Sequence, residues 1–371
     1  MIYPANFEEK IGFDRIREQV TALCSTPSAK AKLAEEGFST SADEIERRLS
    51  LMNEMRSLLM LERDFPDGDY PDPAPLVAKI RVEGSYLLAA EADQLRKALV
   101  TVGAIAEFIL GRGGARYPRL WELSRRVTLF PEIVRAIDAI LDDRGEVKDS
   151  ASPELQQVRR AIREREGQAA KRLQQVLQRA KQAGIVDADA VLSVRDGRPV
   201  IPVAAANKRK LQGFIHDESA TGRTFYVEPV EVVEINNELK ELEYAERREV
   251  VKVLSAFTES IRPDAEAIAD AGDYLSSVDM IRAKARWALA NDAGKPILST
   301  DDRLELRTAR HPLLQQTLRA QGREVVPLDL ALDRRKHILV ISGPNAGGKS
   351  VCLKTTGLMQ YLFQCGYPVP A

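Results

Sequence analysis

At 371 residues, with 44% hydrophobic and 29% charged side chains, the chain has the composition of a globular protein with two or three sizeable cores. Its net charge of −1 excludes attraction to nucleic acid by overall charge, so any such affinity must come from local patches. Three cysteines (Cys24, Cys352, Cys365) show no metal or disulfide spacing, and only three histidines leave little room for a His-rich catalytic metal site. Met1 to Asn6 has no signal-peptide character and no apolar run approaches ~18 residues, so a reducing cytoplasm is the expected location.

Residues 1–152 read as a helical core. Phe7, Ile11, Phe13, Ile16 and Val20 approximate an apolar face, and Ser41 to Glu62 continues with Ile45, Leu49, Met52, Leu58 and Leu59. Phe7-Glu8-Glu9 reads as ordinary helix entry. Asp64 to Pro75 holds four prolines and a glycine and is expected to be a loop. Helices follow from Glu91 to Leu110 and from Pro131 to Leu141.

Residues 153–262 read as two long arms. Ser152 can cap a helix that starts at Pro153 and carries Glu154 in its first turn. Leu155, Val158, Ile162, Ala169, Leu173, Val176 and Ala180 form its narrow apolar seam, over ~42 Å for roughly 28 residues. The mate is Val230 to Ile261, packed antiparallel. Between the arms, at about 190–229, the period falls to two. Val191–Val194, Arg198–Val203, Leu211–Ile215 and Arg223–Val227 are expected strands, with Asp196-Gly197 and Ser219–Gly222 as turns. Pro199 and Pro202 confine their strand to an edge or irregular position.

Charge is uneven here. Glu154 to Lys210 carries 13 Lys/Arg against 6 Asp/Glu, while Glu228 to Glu249 has 8 acidic against 3 basic residues. Either these charges link the arms, or Arg195, Arg198, Lys208, Arg209 and Lys210 at the tip contact phosphates, and both can hold at once. Phe214, Phe225 and Tyr226 are expected in the small core of the tip.

After returning core helices at 263–295, residues 296–371 read as the N-terminal half of an ATPase domain. Ile297–Arg307 and Val325–Leu332 are expected strands, with His311 between them either touching a nucleotide or ordering its turn. His337 to Ser342 reads as a buried strand and Val351 to Gln364 as an amphipathic helix. The turn that joins them, Gly343-Pro344-Asn345-Ala346-Gly347-Gly348-Lys349-Ser350, has the spacing G-x-x-x-x-G-K-[ST] of a P-loop. Glycines let backbone N–H groups curl around phosphate, Lys349 reaches the β- and γ-phosphates of ATP, and Ser350 holds Mg²⁺. A later strand with an acidic end, which hydrolysis requires, does not fit into Val351 to Ala371, so nucleotide binding without competent hydrolysis is expected.

The P-loop, with Ala309 to Leu314 upstream, resembles the ATPase entry of the MutS family. The tip is similar to the type-two branch of that family: Arg195 to Arg198, Ile201-Pro202-Val203, His216 to Thr224, and Val227-Glu228-Pro229 to Asn236-Asn237-Glu238-Leu239. Asp149 to Leu155 adds to the likeness, which covers essentially the whole chain. It implies a core-and-lever region, a clamp, and an ABC-type ATPase that closes on homodimerisation, with ATP and Mg²⁺ as cofactors. It also implies a C-terminal small MutS-related nuclease domain outside this sequence. The partners it implies are branched double-stranded DNA, in suppression of homologous recombination, and collided ribosomes, in sensing and subunit splitting. Val325 and Val326 align with the position that contacts adenine. Pro199 stands where members usually have an aromatic residue, and Ser350 replaces the commoner Thr.

The fold expected is mostly α, with a β-rich clamp tip on two long antiparallel helices and the start of an α/β P-loop domain. One rival is a structural ATPase with helical arms of the SMC type, although those proteins place the P-loop before the arms. Another is an interaction fragment that does no more than bind nucleotide.

Overall fold

The computed structural model describes residues 3–195, 197–344 and 348–371. In chain order its main elements are α1 (Phe7–Ile11), α2 (Phe13–Leu23), α3 (Pro27–Glu35), α4 (Ala42–Leu61), α5 (Ala74–Ile80) and α6 (Ala89–Gly111). Then come α7 (Pro118–Ser124), α8 (Pro131–Ile140) and α9 (Pro153–Gln182), followed by β1 (Ser193–Arg195), β2 (Arg198–Ala204), β3 (Gly213–Glu218) and β4 (Thr224–Pro229). The chain continues with α10 (Val230–Ile261), α11 (Ala265–Ala290), β5 (Leu304–Ala309), α12 (Pro312–Ala320), β6 (Leu328–Leu332) and α13 (Lys349–Gln364). It is mostly helical with small antiparallel sheets, and among the described residues no helix is long and apolar enough to cross a membrane. Its internal contacts divide it into two units. One runs to Glu83 and includes Glu91–Arg135 and Ile261–Ala371; the other comprises Gly84–Ala90 and Ala136–Ser260.

The first unit is built on α11. This helix is buried nearly all round, with Ile268, Leu275, Val278 and Trp287 set among Ala271, Ala283, Ala285 and Ala288. Small alanines let backbones approach, and α2, α3, α4 and α5 pack against it. A fully buried guanidinium, Arg282, sits among these apolar groups. It donates to Asp279 Oδ1 at 2.9 Å, Ser25 Oγ at 2.7 Å and the Gly68 carbonyl at 2.7 Å, and stacks on Tyr70 at 3.7 Å. The other carboxylate oxygen of Asp279 accepts from Thr26 N at 2.8 Å and Thr26 Oγ1 at 3.0 Å, while Thr26 itself caps α3. The proline-rich run from Asp64 is therefore a loop with a structural task, since Asp67, Gly68 and Tyr70 wrap Arg282.

The same unit roots α13. Leu358, Met359, Tyr361 and Leu362 are buried, and the Tyr361 ring meets Phe7 and Phe13 edge-on at 5.5 and 4.8 Å. Its first half is different: Val351 and Leu353 are exposed. The expected buried strand at His337 to Ser342 does not form, and Ile338 and Val340 are 76% and 83% exposed. A buried parallel strand needs neighbours on both edges. Here β5 and β6 pair antiparallel with each other, and among the described residues neither pairs with 337–342. The two expected strands at 297–307 and 325–332 shrink to β5 and β6, leaving Ile297 and Val326 exposed.

In the second unit α9 and α10 run antiparallel. Arg159 Nε meets Glu246 at 2.7 Å and Arg165 Nε meets Glu238 at 2.9 Å, a register in which one number rises as the other falls. Ser152 accepts from Leu155 N at 3.0 Å and Pro153 opens α9, whose 30 residues extend about 45 Å. The seam is buried at Leu155 at its start, and then toward the tip at Ala169, Leu173, Val176, Leu177 and Ala180. At the tip it joins Val186, Ile201, Val203, Val227 and Val232 in one small core. The tip sheet has the order β1-β2-β4-β3, antiparallel throughout. β2 pairs with β1 over Arg198–Val200 and with β4 over Ile201–Ala204, so each residue is paired on one side. Pro199 and Pro202 fit because each can turn its donorless nitrogen to the unpaired side.

Candidate nucleotide and nucleic-acid sites

The phosphate turn stands at the open end of α13. Gly348 is the residue before the helix and adopts φ +84°, and Gly343 adopts φ +145°. Both values favour glycine, and among the described residues nothing lies within 4 Å of where a Cβ would stand on either. Lys349, the first helical residue, folds its ammonium back across the turn to donate to the Gly343 carbonyl at 2.5 Å. Ser350 follows, exposed, on the second helical position, and Pro344 is also exposed. Asn345, Ala346 and Gly347 lie outside the described residues. An open, glycine-flanked helix N-terminus with a lysine over it fits a polyphosphate, and the exposed Ser350 hydroxyl fits an accompanying Mg²⁺.

His311 caps α12 from the extended region. Its ring lies against the α1–α2 junction, where a Cβ on Gly12 would stand 3.8 Å from it. Burial holds it below its ordinary pKa, opposed by a hydrogen bond to the Ile11 backbone, and nearby Lys354 on α13 depresses it further. The ring lies near α13, and its buried Nδ1 has no hydrogen-bond partner among the described residues. Val325 and Val326 lie in the irregular segment before β6, half-buried and exposed respectively.

At the tip, folding separates five cations that are close in sequence. Arg198 is internal: its guanidinium donates to both oxygens of Glu228 at 2.9 and 3.0 Å and to Asn237 Oδ1 at 3.1 Å. Arg195 pairs with Asp217 at 2.9 Å and covers the Tyr226 ring at 3.8 Å. Asp196 is the sole acid between Arg195 and Lys210 in sequence, but β3 and β4 bring Asp217 and Glu228 to these two arginines in space. Lys208, Arg209 and Lys210 remain exposed, with Lys208 4.3 Å over the Phe225 ring. Of the five, these three are the exposed ones without an ion pair among the described residues, and Phe214, expected inside, is 59% exposed.

Sequence reasoning missed Glu228 as the hub of the tip. Its carboxylate is 1% exposed and also meets His216 Nε2 at 2.5 Å and Asn236 Nδ2 at 2.6 Å. Burial pushes its pKa up, but the hydrogen bonds from Asn236, His216 and Arg198 outweigh that and hold it below the usual carboxylate value. The sequence carried little signal for this, since the residue next to an inward-facing Val227 in a strand ordinarily points outward.

The chain thus joins a P-loop-like sequence at a helix N-terminus to paired long helices that carry a small sheet. Comparison with known proteins narrows the class. Over 97% of its length the chain is 32% identical to an endonuclease MutS2 of Bacillus velezensis and 34% identical to that of Thermomicrobium roseum. It is also 32% identical, over the same share, to a putative endonuclease MutS2 of Bacillus subtilis. It spans 45 to 46% of the length of these relatives. No family model matches it. Over the stretch they share, nearly the whole of this chain is thus similar to MutS2 proteins.

Proposed function

We propose that this chain is the nucleotide-binding and clamping portion of a MutS2-type ATPase, and that it acts on nucleic acid. The carrying observation is the glycine-flanked turn at the N-terminus of α13 with Lys349 folded over it. In this reading Gly343 to Ser350 cradle the phosphates of ATP, Ser350 ligates Mg²⁺, His311 stands behind the site, and Val325 and Val326 face the base. Bound Mg²⁺ neutralises phosphate charge; the chain's own part is to orient the phosphates by backbone N–H groups and Lys349. Residues 1–152 and 263–295 act as core and lever, 153–262 as clamp, and 296–371 as part of an ABC-type ATPase that composes its sites in a homodimer.

Lys208, Arg209 and Lys210 contact phosphates of branched double-stranded DNA or of RNA in a collided ribosome. The exposed cations favour backbone recognition over base reading. The nuclease activity carried by the relatives' names belongs, in this reading, to sequence beyond the shared stretch, and the whole protein works in the cytoplasm. The test is a titration of the chain with fluorescent ATP in Mg²⁺, followed by branched DNA and purified ribosomes. Saturable ATP binding with negligible turnover is expected. Absence of binding, or turnover near ~1 s⁻¹, contradicts it.

A further inference from the structure

β3 ends the tip sheet, so its outward N–H and C=O groups have no strand partner among the described residues. Natural edges of this kind are blunted by charge, proline or a cover, because an open apolar edge invites another strand. Here Phe214 and Ile215 stand 59% and 50% exposed on its first half, and the only acidic residues on the strand, Asp217 and Glu218, lie exposed on its second half. Beside Phe214 runs a shallow groove of about 440 Å³ whose other wall is the first three turns of α10: Val230, Val233, Glu234, Glu238 and Glu241. Val230 is 53% exposed. Glu238 already holds Arg165, whereas Glu234 and Glu241 are exposed and have no ion-pair partner among the described residues.

The chemistry selects the occupant. Three carboxylates along one wall repel a phosphate backbone, so this groove is not a continuation of the Lys208–Lys210 surface. An open strand edge supplies main-chain hydrogen bonds at the repeat of an extended polypeptide, whose alternate side chains fall on one face. Side chains on that face would meet phenylalanine and valine first and carboxylates beyond. We propose that the β3 edge and the first turns of α10 form a docking groove for an extended basic segment of another protein. That segment adds to the sheet as a fifth strand, with an apolar side chain beside Phe214 and lysines or arginines against Glu234 and Glu241.

The probe is a fluorescein-labelled peptide of about twelve residues, alternating lysine with valine and threonine, followed by anisotropy against the full chain. Two counterparts carry glutamate for lysine, or N-methylated alternate amides. Binding of the lysine peptide is expected, weakened by salt, with neither counterpart bound. Phe214→Ser, and separately Glu234→Lys with Glu241→Lys, should each weaken it about tenfold or more, and circular dichroism should be unchanged because all three side chains are exposed. Unchanged affinity in both variants overturns the proposal, as does equal binding of either counterpart. Loss of branched-DNA binding in Phe214→Ser would assign the patch to nucleic acid. Sedimentation showing self-association abolished by Phe214→Ser, and indifferent to the peptide, would assign it to a second copy. Either result overturns the proposal independently of the nucleotide reading.

Discussion

The ammonium of Lys349 lies 2.5 Å from the carbonyl oxygen of Gly343, six residues back across the phosphate turn. In the proposed reading a bound phosphate would compete for the same ammonium, so nucleotide would exchange this bond for contacts with phosphate oxygens. A charge-assisted bond to phosphate is stronger than one to a neutral carbonyl, so the exchange runs toward binding. Lys349→Ala is expected to weaken ATP about 10- to 100-fold, the range of about 1.5–3 kcal/mol for a charged hydrogen bond. Fluorescent-nucleotide titration at constant circular dichroism reads this. Equal affinity in mutant and parent would show that the turn does not bind phosphate.

Glu228 makes the tip sensitive to acid. Its carboxyl is held below its ordinary value in the fold, so its stabilisation is complete above the unfolded value of about 4.3 and is lost as pH falls through the folded value. Glu228→Gln removes the charge opposite Arg198 at all pH. The expected loss is about 2–3 kcal/mol, below the ~3–5 of a fully buried pair because Arg198 is 24% exposed. Hydrogen exchange of the β2 and β4 amides between about pH 3 and 6 should show protection falling with acid in the parent. In the variant it should be low and flat. Parallel profiles would remove Glu228 from this role.

In the first unit the pair Asp279–Arg282 is fully buried on both sides. Asp279→Ala strands the guanidinium and unties Thr26 from α11, so a loss of about 3–5 kcal/mol is expected. Asp279→Ala with Arg282→Met should recover most of it, because the stranded charge goes too. Urea unfolding followed by Trp287, which is 1% exposed, measures both. A single-variant loss below about 1 kcal/mol would contradict the argument.

Local signals proved legible in the sequence where the chain itself supplied the partners. Ser152-Pro153 starts α9, and Gly222 turns β3 into β4 at φ +67°. The four tip strands arise where the apolar period fell to two. The run His337 to Ser342 failed because a buried strand is a property of its neighbours, and apolar residues alone do not supply them. Arg195 and Arg198 misled for a related reason: sequence proximity counts the acid at 196 and cannot see Asp217 and Glu228 folding onto the arginines. Phe214 erred in the opposite sense, since an aromatic in a short strand is expected inside, and here the strand is an edge.

The division of tip cations makes a prediction that separates binding from folding. Lys208, Arg209 and Lys210 stand in the segment after β2, exposed, and none of them holds an ion pair among the described residues. Replacing all three with alanine should leave the sheet intact. It should weaken branched DNA or structured RNA about equally across sequences, because phosphates carry no base information. If each contacts one phosphate, fewer counterions are released, and the slope of log affinity against log salt should fall by about two to three units. Arg198→Ala should behave differently. It leaves Glu228 buried with a proton-sensitive charge, so binding falls through loss of tip structure, visible as lost protection in β2 and β4. Filter binding at about four salt concentrations, with hydrogen exchange on the same samples, reads both. An unchanged slope in the triple variant, with binding lost by charge reversal along α9, would move the contact surface from the tip to the arm.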